Sequence, residues 1–446
     1  MRNLLGTSML AFCLGSGWGW AIAWAGETGD HLAQGLPAPV VPQGLGVNIH
    51  FTDPQPGEMK MLAEAGFTWI RMDLSWDGTE RRKGEYDFSA YDRLLAALEE
   101  YKIRALLILD YHNRLYDQGL SPYSQEGRQA MARWAAAAVR RYQGRGILWE
   151  MYNEPNIGFW KPKPNPEHYI LLAKEVGKAI RQVGPKELYI GPATSQIDLK
   201  FLEACFQGGL LEYWDAVSVH TYRQTPPETV RQEYAQLRAL IDKYAPAGKK
   251  IPILSGEWGY SAVWKNFDET KQGKYLARQF LVNLICNIPV SIWYDWHDDG
   301  PNPKEPEHHF GIVRHPYFKD RQLVYEPKPA YLAVKTLTST LAGFRFAERV
   351  RLPSEEDYLL RFQRDQESRW VAWTVGRNGR EKRLPLREGA YQLLAHTGEP
   401  LGTRTAGPEG LALTLTDAPQ YLLPVADSKI PPEKGGAPEL NRTGTN

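Results

Sequence analysis

Two short peptides could do chemistry in this chain: Asn153-Glu154-Pro155 and Ser255-Gly256-Glu257-Trp258-Gly259. Each places a glutamate just after a short apolar, strand-like run. Leu148-Trp149-Glu150-Met151-Tyr152 precedes the first and Ile251-Pro252-Ile253-Leu254 the second. Two carboxyl groups delivered by two different strands are the minimum equipment for cleaving a glycosidic bond by double displacement. A neutral carboxylic acid protonates the leaving oxygen while an ionised carboxylate attacks the anomeric carbon. The acid then serves as base for water. Spacing alone does not say which glutamate takes which task. Glu150 lies deeper on the same strand as Glu154 and reads as a supporting residue, not a rival acid.

Such groups must be held by regular elements. From residue 45 to about 341 the pattern alternates strand and helix. Short apolar strands read at 46–49, 68–72, 104–109, 147–151, 188–190, 216–219, 251–254 and 290–293. Amphipathic runs at 58–65, 91–101, 129–142, 169–183, 199–205, 229–244, 272–285 and 330–341 follow them in turn. Eight strands each followed by a helix predict an α/β fold, a (β/α)₈ barrel over residues 45–341. Active sites of that fold lie at the C-terminal strand ends, where both glutamates fall. After Gly343, short strand candidates at 358–362, 370–375, 391–394, 411–415 and 421–423 predict an all-β sandwich over 342–426. Residues 427–446 are rich in Pro, Gly and polar residues and read as a disordered tail.

Arg2, the run Leu4–Trp24 and the small-x-small site Ala23-Trp24-Ala25 predict a secretory signal peptide over residues 1–25, followed by a linker over 26–44. The expectation is a secreted or periplasmic protein without a stable membrane span in the mature chain. A retained anchor is the alternative. The net charge of +1 points to neither nucleic acid nor an anionic membrane surface as partner. Outside the signal only Cys205 and Cys286 remain, too few for a disulfide scaffold, and two buried free thiols are expected. No metal-ligand spacing occurs, so no metal and no cofactor is expected. His297, Asp298, Asp299, His308 and His309 read as a polar loop at the barrel mouth that shapes substrate subsites.

The motif set resembles clan A glycoside hydrolases, and family 5 of that clan in particular. Asn153-Glu154-Pro155 follows strand four and Glu257 strand seven. Arg71 follows strand two, His112 ends strand three, His220-Thr221-Tyr222 ends strand six and Trp293 ends strand eight. The resemblance implies that Glu154 is the acid/base and Glu257 the nucleophile. It implies that Asn153 bonds the sugar 2-hydroxyl, and that Tyr222 and Arg71 hold Glu257 aimed as a carboxylate. His112 and His220 would bind hydroxyls or tune Glu154, which the negative Glu257 would keep protonated. Trp293 would offer its ring face to the sugar. An arginine at position 71 also fits a plain ion pair with Glu150 or Asp73.

Phe159, Trp160, Trp258, Trp264 and Trp296 are candidate stacking residues, with core packing as the alternative. His308–Ile312 and Lys328–Tyr331 also look like family 39, which includes β-xylosidases and endoglycosidases of bacterial exopolysaccharides. The implied function is a retaining β-glycoside hydrolase on a β-linked poly- or oligosaccharide, with endo-β-glucanase-like action favoured. The alternatives are a family 39-like β-xylosidase or exopolysaccharide endoglycosidase, a transglycosylase, and a non-catalytic carbohydrate-binding barrel.

Overall fold

In the computed structural model of the protein, the described residues are 35–376 and 379–425. The expected signal segment and the tail from residue 427 lie outside them. Eight parallel strands close into a barrel: β1 (Leu45–Asn48), β2 (Trp69–Ser75), β3 (Arg104–Asp110), β4 (Leu148–Met151), β5 (Leu188–Ser195), β6 (Ala216–His220), β7 (Ile253–Trp258) and β8 (Ser291–Trp293). The helices that follow them are α1 (Glu58–Glu64), the single turn α2 (Trp76–Thr79), α3 (Ser89–Glu100), α4 (Gln125–Tyr142), α5 (Pro166–Val183), α6 (Leu199–Gln207), α7 (Val230–Tyr244), α8 (Glu269–Ile285) and α9 (Pro329–Thr340). Among the described residues no helix is long and apolar enough to cross a membrane.

Alternation along each strand sorts side chains between the barrel lumen and the helical shell. Trp69, Leu106, Leu148, Ile190, Ala216, Leu254 and Ile292 form a closed apolar plug. Their odd-step neighbours Ile70, Leu107, Trp149 and Val217 pack outward under the helices. One step above the plug, at i+2, stand Arg71, Glu150 and Ser218, all buried. The lumen is therefore apolar below and polar above, and the polar layer supports the strand ends.

Helix α4 shows why the shell forms. Ser124 caps its N-terminus by accepting from the Gly127 N–H at 3.0 Å. Met131, Trp134, Ala135, Ala138, Val139 and Tyr142 recur on its buried face. Helices α4, α5 and α8 each begin three or four residues before the apolar periodicity does. Their first turns are polar and opened by the caps Ser124, Asn165 and Asp268.

Beyond β8, a hairpin of β9 (Val313–Tyr317) and β10 (Tyr325–Pro327) precedes α9. A six-stranded sheet follows, ordered β11 (Arg345–Arg349), β12 (Asp357–Arg364), β13 (Glu367–Thr374), β18 (Gln420–Pro424), β15 (Gly389–Ala395) and β16 (Pro400–Ala406). The pair β14 (Arg380–Leu384) and β17 (Leu411–Leu415) covers its far face. Tyr358, Leu360 and Phe362 alternate toward the barrel helices, and Leu359 faces the interior between the sheets. The two parts are tied by buried polar contacts. Arg278 of α8 donates to Glu228 at 2.8 and 2.6 Å, and the Trp373 indole N–H donates to the same carboxylate at 2.7 Å. Strands β11, β14 and β16 have no counterpart in the sequence reading because they are largely exposed and polar.

Candidate active site

Strand β4 delivers Glu154 through a left-handed turn. Tyr152 has φ 67° and Glu154 φ 46°, conformations that cost non-glycine residues energy and gather at functional sites. The turn is held by the Glu154 N–H, which donates to the Ala193 carbonyl of β5 at 2.9 Å. Strand β7 delivers Glu257 differently. The sequence reading ends the strand at Leu254, but it continues to Trp258, so Glu257 lies on the strand itself. Against β6, Val219 pairs with Ser255 and His220 with Glu257, which leaves Gly256 as an extra residue. This β-bulge turns Gly256 and Glu257 to the same side. Only glycine fits there: an added Cβ would stand 2.2 Å from Ser218 Oγ and 2.9 Å from Glu150 Oε1. From behind, Gln279 and Gln272 of α8 donate to the carbonyls of Trp258 at 2.9 Å and Tyr260 at 2.8 Å.

Arg71 connects the parts and is 1 % exposed. Its Nε donates to Glu150 at 2.7 Å, and its Nη2 to Asn153 Oδ1 at 2.6 Å. Its Nη1 donates to Glu257 and, at 3.3 Å, to Asn48. Arg71 is therefore paired with Glu150 below and with Glu257 above. Nη2 also lies 3.3 Å from His220 Nε2. A guanidinium can only donate, so Nε2 accepts and the ring proton sits on Nδ1. That N–H donates to Glu154 Oε1 at 2.9 Å. Tyr222 donates its hydroxyl to Glu257 Oε1 at 2.7 Å. One carboxylate oxygen each of Glu154 and Glu257, with a His220 nitrogen, lie within 4.8 Å of one another.

Burial pushes the Glu154 carboxyl up to about 7, against the opposing field of Arg71. The cause is desolvation, and not the Glu257 charge that sequence reasoning invoked. Burial likewise holds His220 down at about 4, so the imidazole is neutral.

A cavity of about 500 Å³ opens over these groups, within the range of small-ligand sites. Arg71, Asn153, Glu154, Tyr222 and Glu257 line it, and fully buried His220 sits beneath. Of the stacking residues expected from sequence, Phe159 and Trp264 line the cavity and the other four are placed elsewhere. Trp160, Trp258, Trp293 and Trp296 are at most 1 % exposed and pack in the core outside the cavity. Strand alternation is the reason: Glu257 points inward, so Trp258 points to the helices. Ile292 points inward, so Trp293 points out and Tyr294 comes back to the cavity. The Trp296 indole is used by Glu58, which accepts from it at 2.9 Å. His112 is half-buried and is not among the cavity-lining residues.

Beside Phe159 and Trp264, the cavity takes its ring faces from Tyr111, Tyr294 and Phe310, which the sequence did not single out. Phe159, 43 % exposed, stacks on Tyr111 with centroids 5.5 Å apart. Asp73 and His50 also line it, each two residues beyond another lining residue, Arg71 and Asn48. That parity was available from sequence. Glu307 and Phe310 come from the long loop after β8, which carries no periodic signal. In that loop Asp298 accepts from Lys328 at 2.9 Å, and His308 Nδ1 accepts from the Asn302 N–H at 3.1 Å. Cys205 is buried and free, and Cys286 is free and half-buried.

A carboxyl group with a raised proton affinity thus stands beside a second carboxyl group held by two donors, in a cavity with aromatic walls. Residues 39–300 match the family described as Cellulase (glycosyl hydrolase family 5). Among solved structures, a family 39 glycoside hydrolase from Bacteroides cellulosilyticus WH2 is 25 % identical with a TM-score of 0.76, over 86 % of this chain and 81 % of that one. A family 39 β-xylosidase from Caulobacter crescentus shares the fold, with a TM-score of 0.63 at 17 % identity over 88 % of this chain and 98 % of that one. Among curated relatives, a 6-phospho-beta-glucosidase of Dickeya chrysanthemi is 26 % identical over 151 residues, 30 % of this chain and 32 % of that protein. The chain spans about a third or less of the length of the curated relatives it matches.

Proposed function

The chain belongs to the family described as Cellulase (glycosyl hydrolase family 5), and from that premise we propose that it is a retaining β-glycoside hydrolase of clan A. Its substrate is a β-linked poly- or oligosaccharide, and endo-β-glucanase-like action is the favoured mode. The observation that carries the reading is the close approach of Glu154 and Glu257, with oxygens within 4.8 Å. Retaining enzymes hold their carboxyl groups about 5–5.5 Å apart, and inverting enzymes leave room for a water between them.

In this reading Glu257 attacks the anomeric carbon while Arg71 and Tyr222 hold it in place. Glu154, neutral at working pH, protonates the leaving oxygen. Formation of the glycosyl ester removes the charge on Glu257. Glu154, now a carboxylate, takes a proton from water, and the ester is cleaved with overall retention. In the same reading Asn153, which accepts from Arg71, bonds the sugar 2-hydroxyl. The chemistry is complete with side chains alone. The exposed Phe159 ring, five residues beyond the acid, supports a leaving-group subsite for a further sugar and so a polymeric substrate.

The 25 % identity with a family 39 enzyme supports the second reading, a β-xylosidase or exopolysaccharide endoglycosidase using the same residues. A transglycosylase would use them too and differ in excluding water. We further propose that residues 1–25 direct export and are removed, which the N-terminal sequence of the exported protein tests. The function is tested by screening polysaccharides and aryl β-glycosides with the purified chain and with Glu257→Gln. Turnover of a β-glycoside by the wild type, abolished in the folded variant, is expected. Retained turnover in Glu257→Gln would overturn the assignment. Carbohydrate binding without turnover by the wild type would favour a non-catalytic barrel.

A further inference from the structure

We infer that the cavity selects against anionic sugars, with Glu307 as a specificity-determining residue, so that the sugars flanking the cleaved bond carry neither phosphate nor carboxylate. The inference rests on the hydrolase reading above and narrows its substrate class.

Phosphate and carboxylate are recognised by arginine, lysine or protonated histidine with donors to spare. Among the described residues lining the cavity there is no lysine, and Arg71 is the one arginine. Its guanidinium is spent on Glu150, Glu257, Asn153, Asn48 and His220, and at 1 % exposure it offers nothing to a ligand. His50 is the one other cationic group. Burial opposes its charge, but the nearby Asp295 carboxylate lifts it to about 9. Its Nε2 lies 3.4 Å from Asp295, and Asp299 stands within 4.8 Å of both. Two carboxyl groups answer that single positive charge.

Two further carboxyl groups line the cavity with no ion pair among the described residues. Asp73 stands on β2 one inward step above Arg71. Glu307 hangs from the loop after β8 into the cavity, and burial, then the fields of Glu257, Asp299 and Glu154, push its carboxyl above the usual range. A phosphoryl or carboxylate group on a bound sugar would lose its water and meet these acids with no free cation. Like-charge juxtaposition of this kind costs several kcal/mol, which is about 100-fold or more in affinity.

The experiment uses glycosides paired by charge: aryl β-glucoside with its 6-phosphate and with aryl β-glucuronide, and cellobiose with cellobiose 6-phosphate. Turnover is read as kcat/KM on the wild type, and binding by calorimetry on Glu257→Gln. The uncharged member is expected to lead by about 100-fold. Glu307→Lys, with Glu307→Gln as the isosteric control, is expected to narrow that gap at least tenfold. Preference for an anionic member, or no discrimination in either measurement, overturns the inference. Discrimination in binding with no turnover of any glycoside leaves charge selection standing and overturns the hydrolase reading instead.

Discussion

Replacing Gly256 by alanine should detach Glu257 from its donors without altering any group that meets the substrate. The new Cβ would lie 2.2 Å from Ser218 Oγ and 2.9 Å from Glu150 Oε1, both closer than real Cβ contacts. Neither neighbour can swing away. Ser218 donates to Glu150, and Glu150 accepts from Arg71 at 2.7 Å. Close packing leaves no void to absorb the methyl, so β7 must retreat by a distance on the order of 1 Å. A displacement of that size in a reacting group costs about 100-fold in rate. Overpacking itself costs about 1–3 kcal/mol of stability. The assay is kcat and KM on the best substrate found by screening, with denaturant unfolding alongside. Adding Ser218→Ala removes the 2.2 Å conflict and leaves the 2.9 Å one. The double variant should therefore recover roughly tenfold of the lost rate, a coupling that a double-mutant cycle isolates. Wild-type kcat in a folded Gly256→Ala protein would refute the bulge as the device that aims Glu257.

Two other perturbations follow from buried charge. The folded value of Glu154, about 7, lies above its ordinary 4.5, so folding favours the neutral form. That contribution is fully present below about pH 4.5 and lost as pH rises through 7. Glu154→Gln should therefore gain on the wild type over this window, by up to about 3 kcal/mol. Unfolding at pH 4 and pH 8 checks it, and a constant difference between the two proteins would contradict it. Arg278→Ala leaves Glu228 buried with only the Trp373 indole N–H for company. It should cost about 3–5 kcal/mol, measured by chemical unfolding. A loss below about 1 kcal/mol would mean that the seam between barrel and sheets does not depend on this pair.

Much of this architecture was legible because periodicity reports burial. The eight barrel strands and eight of the helices are visible as apolar runs, and the tetrad Arg71, Asn153, Glu154 and Glu257 can be placed by their position at strand ends. Four kinds of information were not legible. Helix starts such as Gln125 are set by polar caps, which periodicity does not see. The exposed strands β11, β14 and β16 bury too little to leave a pattern. The side to which an aromatic residue points depends on strand parity near the bulge and the barrel rim. That is why Trp258 and Trp293 face the core while Tyr294 faces the cavity. The cause of the raised Glu154 value was also out of reach, since burial is a property of the folded site and not of the neighbouring charge.

The stereochemistry of the first product tests the central claim most directly. Proton NMR of a β-glycoside substrate during the opening minutes of cleavage resolves the two anomers before they equilibrate. With Glu154 and Glu257 acting as acid/base and nucleophile within 4.8 Å of each other, the β-anomer must appear first. Initial release of the α-anomer would contradict the account, because it would require a water between the two carboxyl groups and remove Glu257 as the nucleophile.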